Sequence, residues 1–340
     1  MGLQIDLERV RLGTGPTPVR ELTELGDDAG QAPVWIKDDG AYSEVGGNKA
    51  RKLEWLLADA RRRRKRTVLT GGALGTNHGL ATATFAARLG MRTILVLVPQ
   101  PETEHVRAQL ARLRSSGAEL HLAPGLVTSY LLAAWLIAAR TGRGQGSPYP
   151  IPPGGSNALG SVGYVEAAFE LADQISSGEL PEPSHVVVAL GSGGTSTGLL
   201  AGMSLAGMRS RLVCILVSDI IRMDARRIAA RAKRTLSLLG THGVDVSGVS
   251  PSADDLTVEK DWLGRGYGHA TEAGERAITL FAERARVKLE PVYTAKAVAA
   301  LLELNRRSAF GAGPVLYWHT YSGSTNPIAP GREAEEATGS

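Results

Sequence analysis

The segment Gly46-Gly47-Asn48-Lys49-Ala50-Arg51-Lys52-Leu53-Glu54 places a lysine at the start of a predicted helix, directly after two glycines. The glycines allow close approach of the backbone, and Asn48 is a residue type that caps helices. The ammonium group of Lys49 would face the positive end of the helix dipole, which disfavours the charged form and lowers its pKa. An amine with a lowered pKa is what Schiff-base chemistry needs at neutral pH. Taken alone, the position also fits an ordinary solvent-exposed lysine.

Short β-branched runs alternate with longer alanine- and leucine-rich segments along the rest of the chain. This alternation predicts parallel sheets covered by helices, an α/β fold. The Gly- and Pro-rich segment 141–155 is the clearest internal break. The predicted strands are residues 67–70, 93–98, 185–190, 212–217 and 314–318. The predicted helices are residues 49–64, 77–89, 104–115, 161–175 and 271–285.

The composition is that of an ordinary globular protein. The 340 residues are 43% apolar and 21% charged, which indicates about two domains at roughly 150 residues each. The net charge is +4, and residues 61–66 are all Arg or Lys, so the remainder is mildly acidic. This basic run is interpreted as a solvated helix end, because a nucleic-acid surface would spread its charge along a face and interleave it with aromatics. No nucleic-acid partner is therefore expected.

Cysteine use and hydropathy indicate the compartment. Cys214 is the single cysteine and lies in a predicted strand, so we expect a small core residue and a reducing cytoplasm. The first ten residues hold no continuous apolar core, and the longest apolar segment, 131–139, is about half the length that spans a bilayer. Neither export nor membrane insertion is expected.

A second glycine-rich element follows the predicted strand 185–190. It reads Gly191-Ser192-Gly193-Gly194-Thr195-Ser196-Thr197-Gly198, and we call it the phosphate cup, because glycines, hydroxyls and a helix N-terminus together favour an anion. A plain tight turn is the alternative. Gly191, Gly193 and Ser196 also approximate a dinucleotide fingerprint, with Asp219 where a ribose-binding acid could stand.

Five motifs in order resemble one family, that of 1-aminocyclopropane-1-carboxylate deaminase and D-cysteine desulfhydrase. They are Ile36-Lys37-Asp38-Asp39, the lysine segment, Gly75-Thr76-Asn77-His78, Gly154-Gly155-Ser156-Asn157-Ala158-Leu159-Gly160 and the phosphate cup. The resemblance covers residues from about 12 to 323. It implies a fold type II pyridoxal-phosphate enzyme, similar to the tryptophan synthase β subunit. Two three-layer αβα domains with mostly parallel sheets would hold the cofactor in the cleft between them.

The resemblance also implies domain boundaries. Residues 1–46 and 161–323 would form the large cofactor-binding domain, residues 47–160 a smaller inserted domain, and residues 324–340 a disordered tail. Homodimers are common in the family, although no feature of this sequence demonstrates one.

Roles for individual residues follow from the resemblance. Lys49 would carry pyridoxal phosphate, Asn77 would bond its phenolic oxygen, and Thr76 would lie near the substrate's carboxylate or α-proton. Tyr267 and Tyr293 would face the substrate, with half-buried core tyrosines as the alternative interpretation. The cofactor's phosphate would be held by Gly191, Ser192, Gly193, Gly194 and Thr195. No metal is expected.

Three positions depart from the family pattern. In the deaminases a glutamate follows the second tyrosine and keeps the pyridine nitrogen protonated, whereas here that position is Thr294. A neutral hydroxyl from Thr294 or Thr320 would leave the ring nitrogen unprotonated, which favours β-elimination over ring opening. Gly75 stands where glutamine is usual, and Tyr321 where glycine is usual. We therefore predict a β-substituted amino acid larger than free D-cysteine.

The sequence predicts a pyridoxal-phosphate-dependent lyase or deaminase acting on a cysteine-like or other β-substituted amino acid. Lys49 or Thr76 would remove the α-proton, and elimination at Cβ would yield a keto acid and ammonia. Cyclopropane opening, β-replacement and racemisation share the first step and stay open. More distant alternatives are a nicotinamide-dependent oxidoreductase and a non-catalytic protein that binds pyridoxal phosphate.

Overall fold

The computed structural model describes residues 3–322, which form two sheets covered by helices on both faces. In chain order the strands are β1 (Val19–Glu21), β2 (Val34–Asp38), β3 (Thr67–Ala73), β4 (Arg92–Val98), β5 (Glu119–Leu122), β6 (Tyr149–Pro150), β7 (His185–Leu190), β8 (Arg211–Leu216), β9 (Leu256–Glu259) and β10 (Val315–His319). The helices are α1 (Asn48–Arg62), α2 (Asn77–Arg88), α3 (Glu104–Ser115), α4 (Leu126–Gly142), α5 (Ala158–Ser176), α6 (Gly194–Leu205), α7 (Ala225–Gly240), α8 (Glu272–Leu280) and α9 (Thr294–Arg306).

The larger sheet has six strands in the order β1-β2-β10-β7-β8-β9, parallel except for the edge pair β1 and β2. Side chains alternate between its faces, as the pleat requires. On β7, Val186 and Val188 pack into the core beneath α5, α6 and α7, whereas Val187 packs beneath α8 and α9. Both faces are therefore buried, and this part of the chain is a three-layer αβα sandwich.

The smaller sheet has four parallel strands in the order β5-β4-β3-β6. Alternation along β4 again separates two cores. Ile94 and Val96 pack with Leu136 of α4, whereas Leu95 and Leu97 pack with α2 and α3 on the opposite face. Helix α4 thus covers one face of this sheet, away from α2 and α3.

Buried ion pairs fasten α1 to the larger sheet. Arg51 of α1 donates from Nη2 to Asp39 Oδ1 at 2.9 Å and to Glu170 Oε1 at 3.1 Å, and Lys37 Nζ lies 2.6 Å from the same Glu170 oxygen. Burial alone would raise the pKa of Glu170, but the two cations outweigh it and hold that pKa at about 2. Lys49 lies two residues before Arg51 on the same helix, so its position relative to the larger sheet is fixed by these ion pairs.

The α/β prediction is confirmed, with differences in detail. All five predicted strands and all five predicted helices are present, and Cys214 is buried on β8. The elements missed are β1, β2, β5, β6, β9, α4, α7 and α9, whereas α6 is the helix expected at the phosphate cup. The segment 141–155, predicted as an internal break, contains β6 and so contributes a strand to the smaller sheet. The predicted tail 324–340 lies outside the described residues. Within residues 3–322, no helix combines the length and hydropathy needed to cross a bilayer.

Candidate active site

A cavity of about 640 Å³ lies between the two sheets. The segments that follow β3, β7 and β10 all line it, so it lies at the carboxyl ends of parallel strands, the usual ligand position in α/β folds. The start of α1 and the start of α9 contribute the remaining polar wall. The geometry therefore brings together sequence motifs that are far apart in the chain.

Lys49 is the second residue of α1 and lines this cavity. Its Nζ donates to Asn48 Oδ1 at 2.8 Å, and Asn48 Nδ2 donates to Thr195 Oγ1 at 3.1 Å. The expectation that Asn48 caps the helix is wrong, because Gly47 is the capping residue and has a positive φ of 47°. A Cβ on Gly47 would lie 2.5 Å from the carbonyl oxygen of Thr320. Asn48 instead connects the Lys49 amine to the phosphate cup.

The lowered pKa expected for Lys49 has a different main cause from the one expected. Burial lowers the pKa of this amine to about 8, and the Glu290 carboxylate partly opposes the shift. The sequence analysis attributed the lowered pKa to the helix dipole, whereas in the structure the loss of solvation on burial is its largest cause. The chemical result is the same, since a substantial fraction of the amine is neutral near physiological pH.

The phosphate cup is a tight turn that enters α6. Gly193 has a φ of +88°, and a Cβ on Gly194 would lie 2.6 Å from Ser156 Oγ. Ser156 Oγ accepts from the Gly194 amide at 3.1 Å and lies 2.7 Å from Ser192 Oγ. Backbone amides, hydroxyls and a helix N-terminus therefore converge at this end of the cavity, which is the arrangement that binds phosphate.

Lys52 is a site residue that the sequence reasoning missed. Its side chain is buried, and its Nζ donates to the carbonyl oxygen of Gly154 at 3.3 Å, beside Ser192 of the cup. Burial and the neighbouring Lys49 lower its pKa well below the usual value, and no carboxylate within residues 3–322 forms an ion pair with it. A buried cation without a counterion is costly, so the site fits a dianionic phosphate. The sequence feature that could have identified Lys52 is its position three residues after Lys49, which places both side chains on the same face of the helix.

The segment 75–78 forms the start of α2. Thr76 is buried, and its Oγ1 caps the helix by accepting from the Gly79 amide at 3.1 Å. Asn77 Oδ1 accepts from Gln109 Nε2 of α3 at 2.6 Å. Because the amide oxygen of Asn77 is occupied in this way, its NH2 group is the part left to donate into the cavity. Gln109 was also missed, since nothing in the sequence connects it with a residue 32 positions earlier.

Tyr267 and Tyr293 meet edge-on at the cavity wall. Their ring centroids are 5.9 Å apart, and Tyr293 Oη donates to Tyr267 Oη at 3.3 Å. Burial raises the pKa of both phenols. A Cβ on Gly191 would lie 2.9 Å from the Tyr293 ring, so this glycine makes room for the tyrosine. Asp219 accepts from the Tyr267 amide at 3.1 Å, which is a structural role rather than the ribose contact considered from the sequence.

A carboxylate lies beside Thr294, contrary to the expectation of a purely neutral wall. Thr294 Oγ1 accepts from the Glu290 amide at 2.7 Å, and Glu290 Oε1 accepts from the amides of Tyr293 and Thr294 at 2.6 and 2.7 Å. Glu290, Thr294 and Thr320 all line the cavity. The negative charge missing from position 294 is thus supplied nearby by Glu290, which the sequence reasoning did not single out.

A two-sheet α/β fold with a lysine of lowered pKa and an anion-binding turn in one cleft defines a pyridoxal-phosphate-dependent enzyme. The family model described as "Pyridoxal-phosphate dependent enzyme" matches residues 10–320, and the chain belongs to this family. Its cofactor is pyridoxal phosphate, and the alternative of a dinucleotide-dependent oxidoreductase is wrong.

Individual relatives narrow the comparison. D-cysteine desulfhydrase from Klebsiella pneumoniae (strain 342) is 35% identical over 329 residues, covering 92% of this chain and 93% of the relative. D-cysteine desulfhydrase from Salmonella choleraesuis (strain SC-B67) is 34% identical over 317 residues, with the same coverage. The crystal structure of an ACC deaminase homologue matches with a TM-score of 0.79 and 32% identity, covering 94% of this chain and 93% of that one. The family resemblance predicted from the motifs is confirmed.

Proposed function

We propose that the protein is a pyridoxal-phosphate-dependent lyase that removes the β-substituent of a cysteine-like or other β-substituted amino acid, giving a keto acid and ammonia. The observation that carries the proposal is the Lys49 amine, whose pKa is lowered to about 8 and which points into the same cavity as the phosphate cup and the tyrosine pair. The names of the D-cysteine desulfhydrase relatives support elimination as the reaction.

The cavity residues divide into groups that would hold the cofactor. Lys49 would bind it covalently, and Asn77 would donate from the amide that Gln109 leaves unoccupied. Thr294 or Thr320 would face the pyridine nitrogen. The phosphate would lie against Gly191, Ser192, Gly193, Gly194 and Thr195, with Lys52 as its counterion. When bound, pyridoxal phosphate supplies the electron sink for charge developing at the substrate's Cα.

The chain's own groups handle the protons. The neutral Lys49 amine is the general base for the α-proton, because its lowered pKa allows it to accept one near neutral pH. Thr76 is better suited to donate to the substrate carboxylate than to act as a base, since its oxygen already accepts the Gly79 amide. The raised pKa values of Tyr267 and Tyr293 keep both phenols protonated. Because Tyr293 donates its hydroxyl proton to Tyr267, the Tyr267 hydroxyl is the one that can donate to a departing β-substituent.

The wall next to Thr294 favours elimination over ring opening. Glu290 supplies negative charge, but its carboxylate already accepts three backbone amides, from Val292, Tyr293 and Thr294. Both carboxylate oxygens are therefore engaged by the backbone at the start of α9, which leaves the hydroxyl of Thr294 or Thr320 as the group that would face the pyridine nitrogen. A weaker electron sink suits a substrate that carries its own leaving group at Cβ.

The size of the cavity supports a substrate larger than free cysteine. Gly75 lines the cavity and its amide donates to Gln100 Oε1 at 3.2 Å, but a Cβ at this position would point toward Gln100 and Val106, which do not line the cavity. The missing side chain at position 75 therefore does not supply the extra room. A cavity of about 640 Å³ must hold both cofactor and substrate, and it leaves room beyond a thiol.

We also propose a homodimer working in a reducing cytoplasm. Cys214 lies in the core and burial raises the pKa of its thiol to about 12, which suits a residue that packs rather than reacts. Light scattering of the purified protein at several concentrations tests the dimer, and a monomer at all of them contradicts it.

The test of the proposed reaction combines absorption spectra with a keto-acid assay. Purified protein should be yellow and should release pyruvate and ammonia from β-substituted alanines, while Lys49→Ala should lack both the visible band and turnover. Production of 2-oxobutyrate from 1-aminocyclopropane-1-carboxylate, at a higher kcat/KM than any β-elimination, would instead favour ring opening. Binding without turnover across the whole panel would favour a non-catalytic role.

A further inference from the structure

The cavity continues past the polar groups into a space beneath α4. We call this the apolar arm, and its walls are Leu69 of β3 with six residues of α4. Those six are Leu126, Ser129, Tyr130, Ala133, Ala134 and Ile137, of which Ser129 alone is an aliphatic polar residue. They recur at helical spacing, so one stripe of α4 faces the cavity. Among the helices within residues 3–322, only α4 packs on this face of the smaller sheet, and the arm reaches solvent at Tyr130, which is 53% exposed.

Helix α4 contributes no charged side chain to the cavity. Residues 126–139 contain no acidic or basic side chain. The charged residues of the cavity wall belong to other elements. One of them, Arg112, lies on α3, the helix on the opposite face of the smaller sheet, and its guanidinium interacts with Tyr321. A charged group placed between β3 and α4 would lose part of its water and find no ionic partner on either element.

Two alanines give the arm its width. Ala133 and Ala134 stand side by side on α4, between Tyr130 and Ile137. Any larger side chain at Ala134 would project into the space, and because Ala134 is exposed the change need not disturb the core. The arm is therefore wide next to its apolar walls, which suits an alkyl or aryl group.

We propose that the apolar arm binds the β-substituent of the substrate, so that the preferred substrates are cysteine S-conjugates carrying an uncharged alkyl or aryl group. This inference rests on the proposed function and names its substrate class. The amino-acid end of the substrate lies at Lys49 and Thr76, and the substituent extends between β3 and α4. Elimination then releases an alkyl or aryl thiol in place of hydrogen sulfide.

The test compares S-methyl-, S-propyl-, S-butyl- and S-benzyl-cysteine as substrates, with each enantiomer assayed separately. S-carboxymethyl-cysteine is included as a charged compound of similar size to S-propyl-cysteine. Pyruvate formation gives kcat/KM, and the change in the holoenzyme's visible band on addition gives a dissociation constant that needs no turnover. At about fourfold per buried methylene, kcat/KM should rise on the order of 50-fold from S-methyl to S-butyl. The carboxymethyl compound should fall below S-propyl by about tenfold or more.

Variants of α4 separate the arm from the rest of the helix. Tyr130→Glu places a carboxylate in the arm and should lower kcat/KM for S-butyl-cysteine about tenfold, with less than a twofold effect on S-methyl-cysteine. Val127→Glu is the matched control, because Val127 is 74% exposed on the same helix and does not line the cavity. Ala134→Phe should fill the arm and remove the advantage of long chains.

The outcomes distinguish the two levels of the proposal. A series that is flat or falling with chain length, in both kcat/KM and affinity, overturns the arm, as does an equal effect of Tyr130→Glu and Val127→Glu. Affinity that rises with chain length without pyruvate from any compound, including D-cysteine, leaves the arm standing and refutes the proposed elimination.

Discussion

The neutral fraction of the Lys49 amine governs how fast the protein takes up its cofactor. An ordinary lysine with a pKa of 10.5 is about 0.1% neutral at pH 7.5, whereas a pKa of about 8 leaves roughly a quarter of the amine neutral. The apoprotein should therefore react with pyridoxal phosphate about two hundredfold faster than a free lysine side chain does at this pH. The advantage should shrink steadily as the pH rises toward 10.5.

Stopped-flow growth of the visible band, measured from pH 6 to 10, is the assay. Dividing each rate by that of Nα-acetyl-lysine removes the cofactor's own titrations. Glu290→Gln removes the charge that opposes the shift, so its apparent pKa should lie below that of the wild type. Lys49→Arg should form no band. An apparent pKa near 10.5 in the wild type, or a band in Lys49→Arg, would refute the reasoning.

Three further perturbations test the surroundings of the site. Gln109→Leu removes the hydrogen bond that orients Asn77, so affinity for pyridoxal phosphate should fall about fivefold in equilibrium dialysis; an unchanged affinity would show that Asn77 needs no support. Glu170→Gln leaves buried cations short of a partner and should cost about 3–5 kcal/mol in urea unfolding at pH 7. Because the folded pKa of Glu170 is about 2, wild-type stability should decline as the pH falls from about 4.5 to 2, and the variant should lack that part of the decline. Tyr293→Phe removes the hydroxyl that meets Tyr267 and should lower kcat while leaving cofactor affinity within about twofold, whereas equal losses in both would assign the ring a packing role.

The sequence predicted the strands that carry the site because each is a short apolar run buried on both faces, as 185–190 and 212–217 are. It missed α4 as a helix, because apolar residues occur around most of its circumference and no polar face marks a period. It predicted a helix start at the phosphate cup but gave that helix no bounds, because α6 begins inside the glycine-rich turn, where helix propensity is low.

Within the site, residues in contiguous motifs could be predicted and residues joined only by the fold could not. Lys49 and Gly193 follow from local spacing. Gln109 and Glu290 act through contacts with Asn77 and with the start of α9, and neither lies in a motif that the resemblance used. Burial, the larger cause of the Lys49 pKa, is a property of the folded cavity and has no local signal.

Helix α1 lies within the segment predicted as the inserted domain, yet its ion pairs join it to Asp39 and Glu170, beside the six-stranded sheet. The apolar face of the same helix packs with Val68, Phe85 and Tyr149 of the smaller sheet and its covering layer, so α1 is joined to both sheets. The two sheets cannot move apart without breaking either the buried ion pairs or this apolar packing. The position of the Lys49 amine, at the start of α1, therefore depends on both halves of the cleft at once.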